Sequence, residues 1–315
     1  MALNNDKSRD SARYDVAVIG GGAAGLSAAS WCAELGLRTL MLEKESSIGG
    51  QLHWIHNPIT NYLGMTAANG EELLAAFERS VSKSNFERIT GKGITSIDQT
   101  SMSLRATDDE TIFASVIILA TGVRRRTLGV PGETEFVGRG VLRSGSGERK
   151  SVAGKSVVVV GGGDAAAENA LILAEYATRV HLIHRRAELS ARPEFLEKVE
   201  RESKIIFLSE TVVESVNGSD HVESVTVRNA AGSKTIDAEH FIVRAGVAPN
   251  SELLTGIADL DERGYVKIDV QCRTTAKNIY AIGDVTNSKA PTIAAAVGMG
   301  STAAKSAFSL LNTSK

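Results

Sequence analysis

The chain has 315 residues, 43% of them apolar, with 35 Lys and Arg against 37 Asp and Glu; that length and content make a globular protein of about two domains. So even a charge balance gives no reason to expect nucleic acid or an anionic membrane as partner, and no apolar run is long enough to span a bilayer. The two cysteines, Cys32 and Cys272, form no C-x-x-C pair and no disulfide framework; the first dozen residues are polar and lack the apolar core of a leader, so a cytoplasmic protein is expected.

The first predicted unit covers residues 14–43. An apolar run (Val16, Ala17, Val18, Ile19) ends in Gly20-Gly21-Gly22-Ala23-Ala24-Gly25, a helical pattern follows, and a second apolar run closes on Glu43. This is strand, tight turn, helix, strand. Gly20 permits the turn, Gly22 lets backbone amides approach a pyrophosphate, and Gly25 lets the helix pack against the strand. The pyrophosphate meets the positive end of the helix, and Glu43 stands where a carboxylate binds ribose hydroxyls. A dinucleotide is the expected ligand. Next come Gly49-Gly50-Gln51-Leu52, where adjacent glycines suit a backbone passing close to a bulky ligand, and then His53 and His56. No Cys, His or carboxylate cluster completes a ligand set around these histidines, so they read as polar loop residues and no metal is expected. Residues 71–84 read as an amphipathic helix, and residues 86–119 as short strands. The last of these ends in Ala120-Thr121-Gly122, which can lean on a bound cofactor.

With the late Gly283-Asp284, these stretches resemble the FAD domain of the low-molecular-weight thioredoxin reductases. The resemblance implies an α/β protein of two Rossmann-like (βαβ, three-layer) dinucleotide-binding domains, the NADPH domain (126–245) inserted in the FAD domain (12–125 and 246–315). It also implies a homodimer formed through the FAD domains. In the glycine loop it assigns Gly20, Gly22, Ala23, Ala24 and Gly25 to FAD, followed by Glu43 and Lys44. Further on it adds Gly50, Gln51, Leu52, Asn61, Thr121 and Gly122, and near the end Gly283, Asp284, Thr292 and Ile293.

Residues 155–186 repeat the opening design. The strand Val157-Val158-Val159-Val160 leads into Gly161-Gly162-Gly163-Asp164-Ala165-Ala166, a helix, and a second strand. Where the first copy has Glu43, this one ends in His184-Arg185-Arg186. A carboxylate there would repel a 2′-phosphate, whereas a guanidinium fork holds it with charge-assisted bonds, so the nucleotide is NADPH rather than NADH. Gly161, Gly163, Asp164, Ala165 and Ala166 form the expected cradle. The family places a further arginine at Ser190; here the nearest is Arg192, which predicts a rearranged clamp. Residues 211–244 alternate as strands broken by the hairpin signals Asn217-Gly218 and Ala231-Gly232. Residues 246–250 resemble the family's return crossing, 278–282 form a strand, and Pro291-Thr292-Ile293 opens a long alanine-rich helix to about residue 311, with proline suited to the first turn. The family has Arg-Gln where Pro291 and Thr292 stand, so the backbone amides at the helix start keep their role toward the flavin while the side-chain contacts change.

Gly138-Arg139-Gly140-Val141 and Gly154-Lys155 match the borders of the family's active-site segment, with the same length between them. The family carries Cys-x-x-Cys and an acid there; here Ser144 and Gly147 take the cysteine positions and Glu148 the acid's. Thiol–disulfide exchange requires a thiolate, which neither residue supplies. The sequence therefore reads as an NADPH-oxidising FAD enzyme whose electrons leave without a dithiol. Arg124, Arg125, Arg126, Arg139, Arg143, Arg149 and Lys150 suit a small acidic carrier such as ferredoxin or flavodoxin by electrostatic steering, which makes a ferredoxin or flavodoxin–NADP reductase one alternative. A non-catalytic FAD/NADPH redox sensor is the other.

Overall fold

The computed structural model describes residues 13–286 and 289–313; the polar first dozen residues, on which the expectation of no leader rests, lie outside them. Two compact units result. Arg125–Val247 is one, and the chain before and after it is the other.

The first unit opens on β1 (Tyr14–Ile19), α1 (Ala23–Glu34) and β2 (Thr39–Leu42), and continues through α2 (Gly70–Val81), β3 (Glu87–Ile89), β4 (Ile94–Asp98), β5 (Ser103–Ala106), β6 (Thr111–Leu119) and β7 (Val123–Arg125). The sheet runs β3-β2-β1-β6 in parallel, and the start of β6 turns into an antiparallel meander with β5 and β4. Residues 16–18 of β1 and 116–119 of β6 are completely buried. Parallel strands covered on both faces have no solvent side, which is why they read as unbroken apolar runs. Helix α2 starts where Asn69 Oδ1 accepts from the Glu72 amide at 2.9 Å and the Glu72 carboxylate accepts from the Ala68 amide at 2.6 Å, a reciprocal cap.

In the second unit β8 (Ser156–Val160), α3 (Asp164–Ala174), β9 (Arg179–Ile183), α4 (Pro193–Arg201) and β10 (Ile205–Leu208) wind a second parallel sheet. An antiparallel meander, β11 (Val212–Gly218), β12 (Val222–Asn229) and β13 (Gly232–Asp237), precedes β14 (His240–Val243), which returns beside β8 to give the order β10-β9-β8-β14. The chain then crosses back on β15 (Val247–Pro249), adds β16 (Ile279–Ala281) beside β6, and ends on α5 (Ile293–Thr313). This is a Rossmann-like unit inserted in another.

Each unit secures both crossings on its own side. In the first, Arg124 donates to the Pro249 carbonyl and Asn250 Oδ1, both at 2.9 Å, and pairs with Glu252 at 2.7 Å. In the second, the Arg126 amide donates to Gly246 O at 3.0 Å and its Nε to Val247 O at 2.8 Å. Helix α5 lies so close to α1 that a Cβ on Gly300 would stand 2.7 Å from Ala24 O and 2.8 Å from Ala28 N. Ser27 Oγ adds a bond to Val297 O at 2.7 Å.

Candidate functional site

In the first unit the site forms where β1 runs into α1. Gly20 has φ +111°, and a Cβ there would stand 2.4 Å from Ala120 O, so only glycine turns the chain this close to the end of β6. A Cβ on Gly25 would stand 1.8 Å from Gly20 O, the close helix–strand approach expected of the third glycine. Gly22 differs: a Cβ there would meet nothing within 4 Å. It is the N-cap of α1, which among the described residues has no side-chain cap hydrogen bond and no acid in its first turn. Gly50 lies close by, its Cβ position 3.3 Å from Gly22 Cα. Glu43 is only 7% exposed; Oε2 accepts from the Gly21 amide at 2.7 Å and Oε1 from the Glu45 amide at 2.9 Å. Each oxygen keeps a lone pair for a further donor.

The remaining predicted residues frame this loop. Gln51 Nε2 donates to Val123 O at 2.7 Å, Leu52 is buried in the core, and Lys44 is exposed beside Glu45 at 3.7 Å, as is Asn61. Thr121 is paired reciprocally with Asn250: its Oγ1 donates to Asn250 O at 2.6 Å, and Asn250 Nδ2 donates to Thr121 O at 2.8 Å. Gly122 has φ +63° and Gly283 φ +71°. Asp284 is partly buried and its carboxylate meets no donor among the described residues; burial raises its pKa. Thr292 Oγ1 accepts from the Ala295 amide at 3.2 Å, capping α5 just before Ile293. Sequence reasoning leaves His53 without a role, and the structure supplies one. Its Nε2 lies 2.7 Å from Ile48 O, so that nitrogen carries the proton, and Nδ1 faces Glu71 at 3.5 Å. The ring fills the space a Cβ on Gly49 would need. His53 thus props the Gly49-Gly50 loop, while His56 is exposed.

The second unit repeats the cradle. Gly161 has φ +153°, and a Cβ there would stand 2.3 Å from Arg244 O and 2.9 Å from the Ala166 methyl. A Cβ on Gly162 would strike the His184 ring at 2.4 Å, while Gly163, the N-cap of α3, opens onto empty space. Ala165, in the first turn, is exposed. His184 lies beneath the loop with Nε2 buried and unpartnered; burial, then the charges of Arg186 and Arg185, lower its pKa. Arg185 and Arg186 are exposed and make no side-chain bond or ion pair among the described residues. Arg192 stands apart from them: it pairs with Asp164 at 2.7 Å and Glu194 at 2.8 Å and lies over the Phe195 ring. Ser190 donates from its amide and hydroxyl to Gly162 O at 2.6 and 3.1 Å, holding the loop rather than offering a charge.

The turn carrying Ser144, Gly147 and Glu148 is closed by its own bonds. Glu148 Oε2 accepts from the amides of Arg143 and Ser144, both at 2.7 Å, and Ser144 Oγ accepts from the Gly147 amide at 3.1 Å. The Gly145 amide donates to Asn169 Oδ1 at 3.2 Å, and a Cβ on Gly145 would stand 2.2 Å from that oxygen. Cys32 and Cys272 lie elsewhere, 0% and 3% exposed in the core of the first unit, with burial pushing their thiols up to about 12 and about 11. Among the described residues no group of three or more His, Cys, Asp or Glu is placed to hold a metal, and no helix is long and apolar enough to cross a membrane. Sequence reasoning missed Asn169 and Arg244. The one available signal was a charge following the apolar strand His240-Phe241-Ile242-Val243.

Residues 14–300 match the pyridine nucleotide-disulphide oxidoreductase family. A thioredoxin reductase of Treponema pallidum (strain Nichols) is 34% identical over 312 residues, covering 95% of this chain and 98% of that protein. Among solved structures, the thioredoxin reductase of Lactococcus lactis superposes with a TM-score of 0.83 at 30% identity, covering 96% of this chain and all of the other. That of T. acidophilum gives 0.81 at 30% identity, covering 95% and 99%.

Proposed function

The chain belongs to the pyridine nucleotide-disulphide oxidoreductase family, as a thioredoxin reductase-like flavoprotein, and on that premise we propose that it oxidises NADPH through FAD and delivers the electrons to an acceptor without a cysteine-pair relay. FAD and NADPH are the cofactors of this family. When bound, they supply hydride transfer from nicotinamide to flavin. In this reading the first unit holds FAD. The amides at the start of α1 beside Gly22 receive the pyrophosphate, Glu43 keeps lone pairs for the ribose hydroxyls, and the carboxylate of Asp284, which meets no donor among the described residues, suits a polyol hydroxyl. The second unit holds NADPH. Gly163 opens the helix terminus to its pyrophosphate, and the unengaged Arg185 and Arg186 take the 2′-phosphate.

One observation carries the departure from a disulfide relay: both cysteines of the chain are buried in the first unit's core as high-pKa thiols, and the second unit contains no cysteine. An acidic carrier draws less support, because Arg124 is already paired with Glu252 and Arg139 is bonded to the carbonyls of Asp220 and Glu135. The test is an anaerobic NADPH titration of the yellow protein followed by a panel of acceptors. Bleaching of the flavin by stoichiometric NADPH is expected, and heat release of FAD rather than FMN. A flavin that stays oxidised would favour the sensor.

A further inference from the structure

Along the carboxyl-terminal edge of the second unit's sheet, the strand order places three features side by side. β9 ends in His184-Arg185-Arg186, β8 in the glycine loop, and β14 in Arg244. Ligands of such sheets lie outside the carboxyl ends of the strands. A dinucleotide with its 2′-phosphate at the end of β9 and its pyrophosphate at the end of β8 therefore carries its nicotinamide half over the end of β14. Arg244 borders the loop directly, since its carbonyl occupies the space a Cβ on Gly161 would take.

Its side chain is a buried cation held by neutral groups. It is 6% exposed and has no carboxylate within ion-pair distance among the described residues. Nε donates to Asn169 Oδ1 at 3.1 Å, Nη1 to Val243 O at 2.8 Å and Nη2 to Arg143 O at 3.2 Å. All three partners are neutral oxygens, and three bonds leave two of the five guanidinium hydrogens unspent. Asn169 is itself fixed, accepting from the Gly145 amide and donating to Ala165 O at 2.8 Å. The network orients the cation but does not neutralise it. Burial, reinforced by the charge of Arg125, outweighs the pull of Glu148 and Glu168 and lowers its pKa to about 10, which leaves it charged at neutral pH. A buried cation without a counter-ion is costly unless a ligand supplies one.

We propose that Arg244 binds the phosphate on the nicotinamide side of the pyrophosphate and so positions the nicotinamide half of the nucleotide; this rests on the reading that the second unit binds NADPH. Calorimetric titration of the FAD-loaded protein with NADP+ and with 2′,5′-ADP, which lacks the nicotinamide half, separates the two claims. Arg244→Met is expected to weaken NADP+ binding roughly 10- to 100-fold, the loss of a charge-assisted contact, and to leave 2′,5′-ADP binding unchanged. Arg244→Lys, a point charge without the fork, falls between. The 2′,5′-ADP arm also reports that the unit has folded. Equal NADP+ affinity in parent and variants overturns the inference, and so does a parallel loss of both probes, which marks a merely structural residue. A parent that binds neither probe overturns the NADPH reading itself, and the inference with it.

Discussion

Arg185, Arg186 and Arg192 lie within one short stretch and are all exposed, yet their surroundings give them different work. Arg192 is satisfied by Asp164 and Glu194, whereas the guanidinium groups of the other two have no bond or ion pair among the described residues. Changing Arg185 and Arg186 to Ala is expected to narrow the preference for NADPH over NADH by about tenfold or more per arginine, from the ratio of kcat/KM values. Arg192→Ala removes two exposed ion pairs and is expected to move the same ratio by less than about threefold. Equal use of the two nucleotides by the parent would remove the 2′-phosphate assignment. The cysteines make a second contrast. Thiols pushed up to about 12 and about 11 by burial are neutral and shielded at pH 8. The native protein should react with DTNB only slowly, both thiols appearing promptly on unfolding. A fast-reacting thiol in the folded protein would contradict the burial.

Among the elements, the parts legible in the sequence are those whose cause is local. A strand buried on both faces is a continuous apolar run, and the glycines at its end are required by contacts with neighbouring turns, so both strand–loop–helix units could be read directly. Helix ends were read less well: α2 begins at Gly70, one residue before the 71–84 pattern, because Asn69 and Glu72 cap it there, and it ends at Val81, before the pattern does. The Asp164–Arg192 pair, the Asn169–Arg244 bond and the Gly300 crossing join positions far apart in the chain, and no local pattern announces such contacts. The second unit also shares a collective property. His181, His184 and His240 each contain a buried ring nitrogen without a partner, and burial is the leading cause lowering the pKa of all three. A histidine whose folded pKa lies below its unfolded value binds protons more readily when unfolded, so its contribution is intact above the ordinary value of 6.5 and erodes as pH falls through it. The urea midpoint of the second unit is expected to drop between pH 7 and pH 5, and His240→Gln to flatten that slope. A midpoint that is constant or rises toward pH 5 would show that these rings are not kept neutral by the fold.

At the scale of the whole molecule, a thioredoxin reductase-like chain carries its two cysteines in the core of the first unit and none in the second. Disulfide exchange proceeds by attack of a thiolate on sulfur, and the two thiols here sit in helix α1 and near the Met299 carbonyl, both inside the first unit's core. The turn that resembles the family's redox segment is occupied by hydrogen bonds among Ser144, Gly147 and Glu148, and Glu148 accepts two backbone amides there as a cap. That carboxylate oxygen is thereby committed to the turn's own amides. The glycine loops, Glu43, Arg185 and Arg186, by contrast, retain the groups on which the nucleotide-binding reading rests. The expected outcome is a separation of the two half-reactions. NADPH should reduce the flavin, and reoxidation should follow with acceptors that take electrons from flavin directly. Thioredoxin, and DTNB as a small disulfide, should be reduced only by a slow flavin-mediated leak. The measurement is steady-state NADPH oxidation with each acceptor under anaerobic conditions. Turnover of thioredoxin at rates ordinary for enzymes, about 1 s⁻¹ or faster, would mean that a buried cysteine becomes exposed and reactive during the cycle, and the proposed route of the electrons would have to be abandoned.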